Sequence, residues 1–323
     1  MPEVETPLQL SGVVAAWRWD TASIVITVMA LAAYAGCRRI ARRRGASLSR
    51  GRAVCFGLGG LGVWLLTGVG VLGVYSDTLF WVRALQTLLL LYLVPFALAA
   101  GMPLTVLRAA LGSAGRARLD TALSSRPARL LTYPAVPSLL ILAVPWLLFL
   151  TPWYEAVLRH GAIDAATRIL LVLIGFLYFY SRLQVDPVPR RFTQGISLLI
   201  TIAESLADGV LGIVLWLGPL VAADYYGSLG RAWGPSTRMD QTIGAGVFWL
   251  LGDLLGLTYA LVVMRAFARD ERRRAFALDA ELDATASAET VVAGAPSHES
   301  RSREVASGLW WENDPQLRDR FHR

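Results

Sequence analysis

Charged residues are scarce in this chain, and lysine is absent. Charged side chains make up 17% of the 323 residues, hydrophobic side chains make up 55%, and all 31 basic residues are arginine. A soluble domain of this length carries more charge and less apolar surface. The composition therefore predicts a multi-pass membrane protein, and the exclusive use of arginine is typical of a GC-rich bacterial genome. We expect it in the plasma membrane of a bacterium.

Sequence patterns of soluble catalysis and of metal binding are also missing. The chain has no Walker loop, nucleophile elbow, HExxH or CxxC pattern, so no enzymatic activity is expected. Its two cysteines stand beside arginine-rich loops, which argues against a disulfide, and no two of its three histidines share a helix face. The arginines flank apolar segments instead of forming a stripe with aromatic residues, so no nucleic-acid partner is expected.

Long apolar runs predict an all-α bundle of about seven transmembrane helices, at residues 22–36, 53–75, 80–100, 130–150, 165–181, 196–222 and 242–264. The loops after the first, third, fifth and seventh runs are rich in arginine, which places them in the cytoplasm and the N-terminus outside. We expect four parts: an extracytoplasmic segment at residues 1–21, the transmembrane domain at 22–265, a charged cytoplasmic helix at 266–284 and a disordered cytoplasmic tail at 285–323.

Polar residues inside the predicted spans occur in pairs four positions apart, which places both members of a pair on one helix face. These pairs are Arg83 with Thr87, Asp164 with Arg168, and Glu204 with Asp208, and Gln86 lies beside the first pair. Because ionisable groups in a membrane are costly, we expect three helices to direct them into one outward-facing cavity that binds an ion or a partner. The alternative is mutual neutralisation, in which Asp164 pairs with Arg168 and Arg83 pairs with Glu204 or Asp208.

Two further features stand apart from this set. Asp253 lies in the middle of the seventh predicted span, where it serves either helix packing or a proton relay. Trp310 and Trp311 lie in the polar tail, which predicts either contact with the membrane interface or docking of a cytoplasmic partner.

Several motifs occur in an order and at separations similar to those of a known family. They include TPWYE at 151–155, DPVPRR at 186–191, DYY at 224–226, and Asp240-Gln241 followed by Gly244. With them the chain resembles the CtaG-type cytochrome c oxidase assembly factors, membrane proteins of bacteria that are implicated in supplying copper to the oxidase. The motif residues carried over from that resemblance are Trp153, Tyr154, Glu155, His160, Asp186, Pro187, Pro189, Asp224, Asp240, Gln241 and Asp253.

The chain departs from the family where the resemblance implies histidines. Arg83 and Thr87 stand on either side of Gln86 where histidines are expected, and others are missing near Arg168 and Asp208. The resemblance implies a non-catalytic membrane factor for oxidase assembly, with oxidase subunits as partners and copper as cargo, whose cavity has lost most metal ligands. Two alternatives are a small-solute or proton-coupled transporter that titrates Glu204, Asp208 and Asp253, and a scaffold without metal that uses the Trp310-Trp311 tail.

Overall fold

The computed structural model describes residues 16–133, 135–183 and 209–250, together with single residues and pairs between 261 and 280. It divides into two compact units, Met1–Arg269 and Asp270–Arg323. All regular structure in the described residues is helical, without a strand. In the second unit, the described positions between 271 and 280 are helical.

Eleven continuously described helices lie in the first unit, where the described positions between 261 and 268 are helical as well, and we number the eleven in chain order. They are α1 (Thr21–Arg43), α2 (Arg50–Tyr75), α3 (Phe80–Ala110), α4 (Ser113–Leu123), α5 (Arg126–Leu131), α6 (Ala135–Leu150), α7 (Trp153–Arg159), α8 (Gly161–Leu183), α9 (209–217), α10 (Ala223–Ser228) and α11 (237–250).

Four of these helices, α1, α2, α3 and α8, are long and apolar enough to cross a membrane. Helices α6 and α7 meet at a bend of 71°. If the two form a single span, they are a fifth candidate for crossing the membrane. The predicted all-helical membrane fold is thus confirmed for the described residues. The first half of the predicted sixth span and most of the second half of the seventh lie outside them, so the number seven stays a prediction. Residues predicted to be important that also lie outside are Asp186, Pro187, Pro189, Glu204, Asp208, Asp253, Trp310 and Trp311.

Several helices do not begin or end where the predicted spans do. Helix α1 continues beyond residue 36 to Arg43, because arginine is a good helix former and the chain meets no helix breaker there. The predicted start at residue 130 falls in α5, and the membrane helix α6 begins only at residue 135. Helix α9 ends at residue 217, before the predicted 222, since Pro219 cannot continue it and Ala222 has a left-handed φ of 48°.

The two ends of the helix bundle differ in charge. The Asp77 end comprises the start of α1, the turn between α2 and α3, and the start of α8. The Arg50 end comprises the end of α1, the start of α2, the end of α3, and helices α4 and α5. The phenol of Tyr34 donates to the carbonyl of Gly101 at 2.9 Å, so α3 returns to pack against the second half of α1. An aromatic core between α3, α6, α7, α10 and α11 closes the Asp77 end, with Phe80, Phe149, Tyr154, Tyr226 and Phe248 as members.

Helices α3 and α8 approach each other closely at Gly175. A Cβ atom there would overlap the carbonyl oxygen of Leu91 and the ring of Pro95. The helix segment Leu89–Leu93 is wound as a π-helix, which leaves this carbonyl facing α8. The contact fixes the register of the two helices that carry Arg83 and Asp164.

Gly175→Ala is therefore expected to lower the free energy of unfolding by about 1–3 kcal/mol, because the overlapped atom belongs to the backbone and cannot rotate away. Gly161→Ala on the same helix is the matched control, since a Cβ at Gly161 meets no atom within 4 Å. Reversible unfolding of the full chain in mixed micelles measures both. Equal stability of the two variants would show that this contact does not set the packing of α3 on α8.

Candidate functional site

Three buried ionisable side chains from α3 and α8 form the centre of the candidate site. The Nη1 atom of Arg83 lies 2.5 Å from Oδ1 of Asp164, and Nε of Arg168 lies 3.1 Å from Oδ2 of the same carboxylate. The exposed fractions of the three side chains are 4% for Arg83, 7% for Asp164 and 5% for Arg168. One carboxylate thus lies between two guanidinium groups in the interior of the bundle.

Three residues at the Asp77 end extend this centre toward the surface. Asp77 accepts from Arg83 at 2.5 Å and from Arg18 at 2.8 Å, and Arg168 donates to Asp20 at 2.7 Å. We call the six residues the ion-pair cluster: Arg18, Asp20, Asp77, Arg83, Asp164 and Arg168. Its three arginines and three aspartates balance, and every carboxylate in it contacts at least one guanidinium group.

Neutral groups fix the arginines in place. Gln86 accepts from Arg83 at 3.0 Å and itself donates to the carbonyl of Thr67 at 2.6 Å, so α2 is included in the network. The hydroxyl of Thr87 donates to the carbonyl of Arg83 at 2.9 Å, within its own helix. Gln86 thus orients the side chain of Arg83 without adding charge, whereas the hydrogen bond of Thr87 is local to α3.

Asp20 attaches the start of α1 to α8. It is the N-cap of α1, and it accepts from the hydroxyl of Ser23 at 2.7 Å as well as from Arg168. Burial raises the pKa of Asp20, but the hydrogen bonds from Ser23 and Arg168 and the charge of Arg168 outweigh burial, so the pKa lies below the usual value. Asp20 is therefore ionised at neutral pH.

Little space remains inside the cluster, and more lies beside it. A cavity of about 10 Å³, room for about one water molecule, is lined by Arg83, Gln86, Thr87, Asp164 and Arg168 among others. A cleft of about 400 Å³ lies on the other side of Asp164, and Arg18, Trp19, Asp20, Asp77 and Arg159 are among its walls. The buried part of the predicted cavity is thus filled by paired side chains.

The donor groups of this site do not fit copper. No histidine, cysteine or methionine lines the cavity or the cleft. Within the described residues, no three side chains among His, Cys, Asp and Glu are placed to hold a metal ion. Guanidinium groups cannot ligate a cation and repel it, and they already occupy the three carboxylates.

The structure brings five predicted site residues together, namely Arg83, Gln86, Thr87, Asp164 and Arg168. Their assignment as a binding site stays a prediction. Glu204 and Asp208, the predicted partners of Arg83, lie outside the described residues, and within them Arg83 pairs with Asp77 and Asp164. Arg18, Asp20 and Asp77 were not among the predicted site residues. Arg18 and Asp20 belong to the sequence AWRWD at 16–20, which the family resemblance also covers, and Asp77 lies in the predicted turn between the second and third spans.

The motif residues of α7 support the site without joining the ion-pair cluster. The indole of Trp153 donates to the hydroxyl of Thr167 at 3.0 Å, beside Arg168. Glu155 forms an exposed ion pair with Arg159 at 2.6 Å. His160 is exposed, lines neither the cavity nor the cleft, and ends α7. Asp224 is exposed in the first turn of α10.

Asp240 and Gln241 connect helix ends. The carboxylate of Asp240 accepts from the backbone amides of Phe80 at 3.1 Å and Trp81 at 3.0 Å, so it caps α3 three residues before Arg83. Gln241 accepts from the amide of Val221 at 2.8 Å and donates to the carbonyl of Leu215 at 2.7 Å. The pair therefore positions α3 and the turn after α9.

Tyr154 and Tyr226 share a buried hydrogen bond of 2.8 Å between their hydroxyl groups, next to the cluster. Tyr154→Phe leaves the hydroxyl of Tyr226 without a partner among the described residues. We expect this substitution to lower the free energy of unfolding by about 1–2 kcal/mol. The measurement is chemical or thermal unfolding of Tyr154→Phe, of Tyr226→Phe and of the double variant Tyr154→Phe/Tyr226→Phe. The double variant should recover part of the loss, whereas additive losses would contradict a shared bond.

Comparison with known proteins gives one family. Residues 32–270 match the family model described as cytochrome c oxidase caa3 assembly factor. Uncharacterized proteins of Mycobacterium bovis and Mycobacterium tuberculosis are each 26% identical over 289 residues, which cover 87% of this chain and 44% of theirs. One of Mycobacterium leprae is 25% identical over 292 residues, with coverages of 88% and 44%. The chain thus spans less than half the length of these relatives. No solved structure matches.

Proposed function

Since the chain belongs to the cytochrome c oxidase caa3 assembly factor family, we propose that it is a non-catalytic assembly factor whose ion-pair cluster replaces a metal site. Membrane-spanning helices and the family together make it a membrane protein related to oxidase assembly. In this proposal it contacts oxidase subunits during their assembly, in the plasma membrane of a bacterium. It does not carry copper in the cluster.

The observation that carries this proposal is the pairing of every cluster carboxylate with an arginine. A copper carrier must offer free thiolate, thioether, imidazole or carboxylate ligands. Here the carboxylates are committed to Arg18, Arg83 and Arg168. Such a cluster holds the start of α1, the turn before α3 and helix α8 in one arrangement, which is the property of a scaffold and not of a carrier.

The proposed topology follows from the distribution of arginine. The Arg50 end carries more arginines than the Asp77 end and is placed in the cytoplasm, so the Asp77 end and the cluster face outward. Seven spans, with the N-terminus outside, complete this arrangement. The sixth span then contains Glu204 and Asp208, and the seventh contains Asp253. A cytoplasmic tail contains Trp310 and Trp311, which are able to dock a partner.

Deletion of the gene tests the proposed function. We expect the amount of assembled oxidase in membranes, measured by its haem spectrum and oxygen consumption, to fall and to return with the wild-type chain. Complementation by Asp164→Asn should fail, and complementation by Asp120→Asn, on the exposed Arg108–Asp120 pair, should succeed. Normal oxidase in the deletion strain would remove the function. Removal of residues 305–323 tests the tail separately, through co-purification of oxidase subunits.

A further inference from the structure

Arginines concentrate at the Arg50 end with almost no acidic residues. Between residues 38 and 129 the sequence carries only two carboxylates. Asp77 lies at the opposite end of α2, and Asp120 lies in α4. The exposed arginines at this end are Arg39, Arg42, Arg43, Arg44, Arg50, Arg52, Arg108, Arg116, Arg118, Arg126 and Arg129. Such an excess of one charge attracts partners of opposite charge.

Helix α4 does not pack into the bundle. None of its residues is buried, and it is attached to the end of α3 by a two-pronged ion pair in which Arg108 contacts Asp120 at 3.0 and 2.9 Å. Arg116 donates from Nε to the carbonyls of Arg108 and Leu111, both at 3.0 Å, and so holds the turn between the helices. The position of α4 is therefore fixed, although its surface is uncovered.

The next helix combines basic and apolar surface. In α5, Leu130 is 65% and Leu131 is 47% exposed, directly after Arg126 and Arg129, and the chain then enters the apolar helix α6. Neither arginine forms an ion pair within the described residues. This segment therefore places exposed leucines next to free guanidinium groups at the entry to a membrane span. Such a combination suits the boundary between the acyl chains and the headgroups of a lipid bilayer.

We propose that α4, α5 and the arginine-rich ends of α1 and α2 form a docking surface for the headgroups of anionic phospholipids. The occupant is a lipid because this surface lies where the spans end and carries leucines beside its arginines. Arginine binds phosphate oxygens bidentately, and the Arg108–Asp120 pair keeps α4 in place to receive them. The surface is independent of the ion-pair cluster and of the function in oxidase assembly.

The purified full chain in zwitterionic micelles is titrated with phosphatidylglycerol or with phosphatidylcholine. Native mass spectrometry measures the bound lipid, and thermal unfolding measures the unfolding temperature. We expect phosphatidylglycerol to bind preferentially and to raise the unfolding temperature, and high salt to abolish both effects. For Arg126→Gln/Arg129→Gln, the apparent affinity should fall about thirtyfold.

The control variant is Arg159→Gln/Arg238→Gln, which removes two exposed arginines at the Asp77 end with the same change of net charge and should keep the lipid preference. Equal binding of the two lipids by the wild-type chain would overturn the proposal. So would an unchanged affinity in Arg126→Gln/Arg129→Gln, whose exposed positions are compatible with normal folding. Binding of an acidic protein or a nucleic acid without preference for phosphatidylglycerol would assign the surface to another partner class and also overturn it.

Discussion

Asp164→Asn is expected to lower the free energy of unfolding by about 3–5 kcal/mol, which is the range for removing one partner of a buried ion pair. Asp164 is the carboxylate that Arg83 and Arg168 share, and both arginines are at least nine-tenths buried. Asparagine fills the same volume but carries no charge, so two guanidinium groups would face each other in the bundle. Unfolding of the full chain in mixed micelles or nanodiscs measures the loss.

The chain offers a matched control for this prediction. Glu155 and Arg159 also form an acid–base pair four residues apart, but their side chains are 39% and 47% exposed. Glu155→Gln should change the free energy of unfolding by no more than about 0.5 kcal/mol. Adding Arg83→Gln to Asp164→Asn should recover part of the loss, since the cluster then again has as many arginines as aspartates, with Arg18 paired to Asp77 and Arg168 paired to Asp20. Similar losses for Asp164→Asn and Glu155→Gln would mean that the cluster contributes no more than a surface pair.

Gly68→Ala is expected to have the second-largest effect, a loss of about 2–3 kcal/mol. Gly68 brings the backbone of α2 against the cluster. A Cβ there would overlap the hydroxyl oxygen of Ser23 and lie 2.8 Å from both Nη1 of Arg168 and Oδ2 of Asp20. These atoms are already bound to one another, so they can make room only by opening the ion pair between Arg168 and Asp20. Thermal unfolding in nanodiscs provides the measurement.

Gly57→Ala, on the same helix, separates this steric effect from the general effect of adding a methyl group. A Cβ at Gly57 meets no atom within 4 Å, so the change should be within about 0.5 kcal/mol. Ser23→Ala combined with Gly68→Ala removes the oxygen that the new methyl group overlaps and should restore part of the stability. If Gly68→Ala were as stable as Gly57→Ala, α2 would not pack against the cluster as described.

The sequence predicts the centre of the cluster better than its surroundings. Asp164 and Arg168 are four residues apart in an apolar run, so helical geometry alone places them on one face. Asp20 and Arg168 are 148 residues apart, and their contact depends on how α1 packs against α8. Periodicity within one helix contains no information about such packing. The residues outside the spans, Arg18, Asp20 and Asp77, were therefore missed.

Helix ends show the same limit. Proline and glycine after α9 indicate where that helix stops, yet apolar residues continue to 222 and the prediction followed them. The cap of α3 cannot be found locally, because the residue before it is Leu79 and the capping carboxylate belongs to Asp240, 160 residues from Phe80. Family resemblance marked Asp240 and Gln241 as motif residues, and their hydrogen bonds now give a structural reason.

Metal analysis of the purified chain tests the central claim, that paired arginines and aspartates replace a metal site in this assembly factor. The full chain is purified from cells grown with added copper, without chelator, and copper is measured by mass spectrometry beside a protein of known copper content. We predict no stoichiometric copper, and the same result for Asp77→Asn, which alters a half-exposed member of the cluster. Stoichiometric copper in the wild-type chain that is lost in Asp77→Asn would contradict the claim.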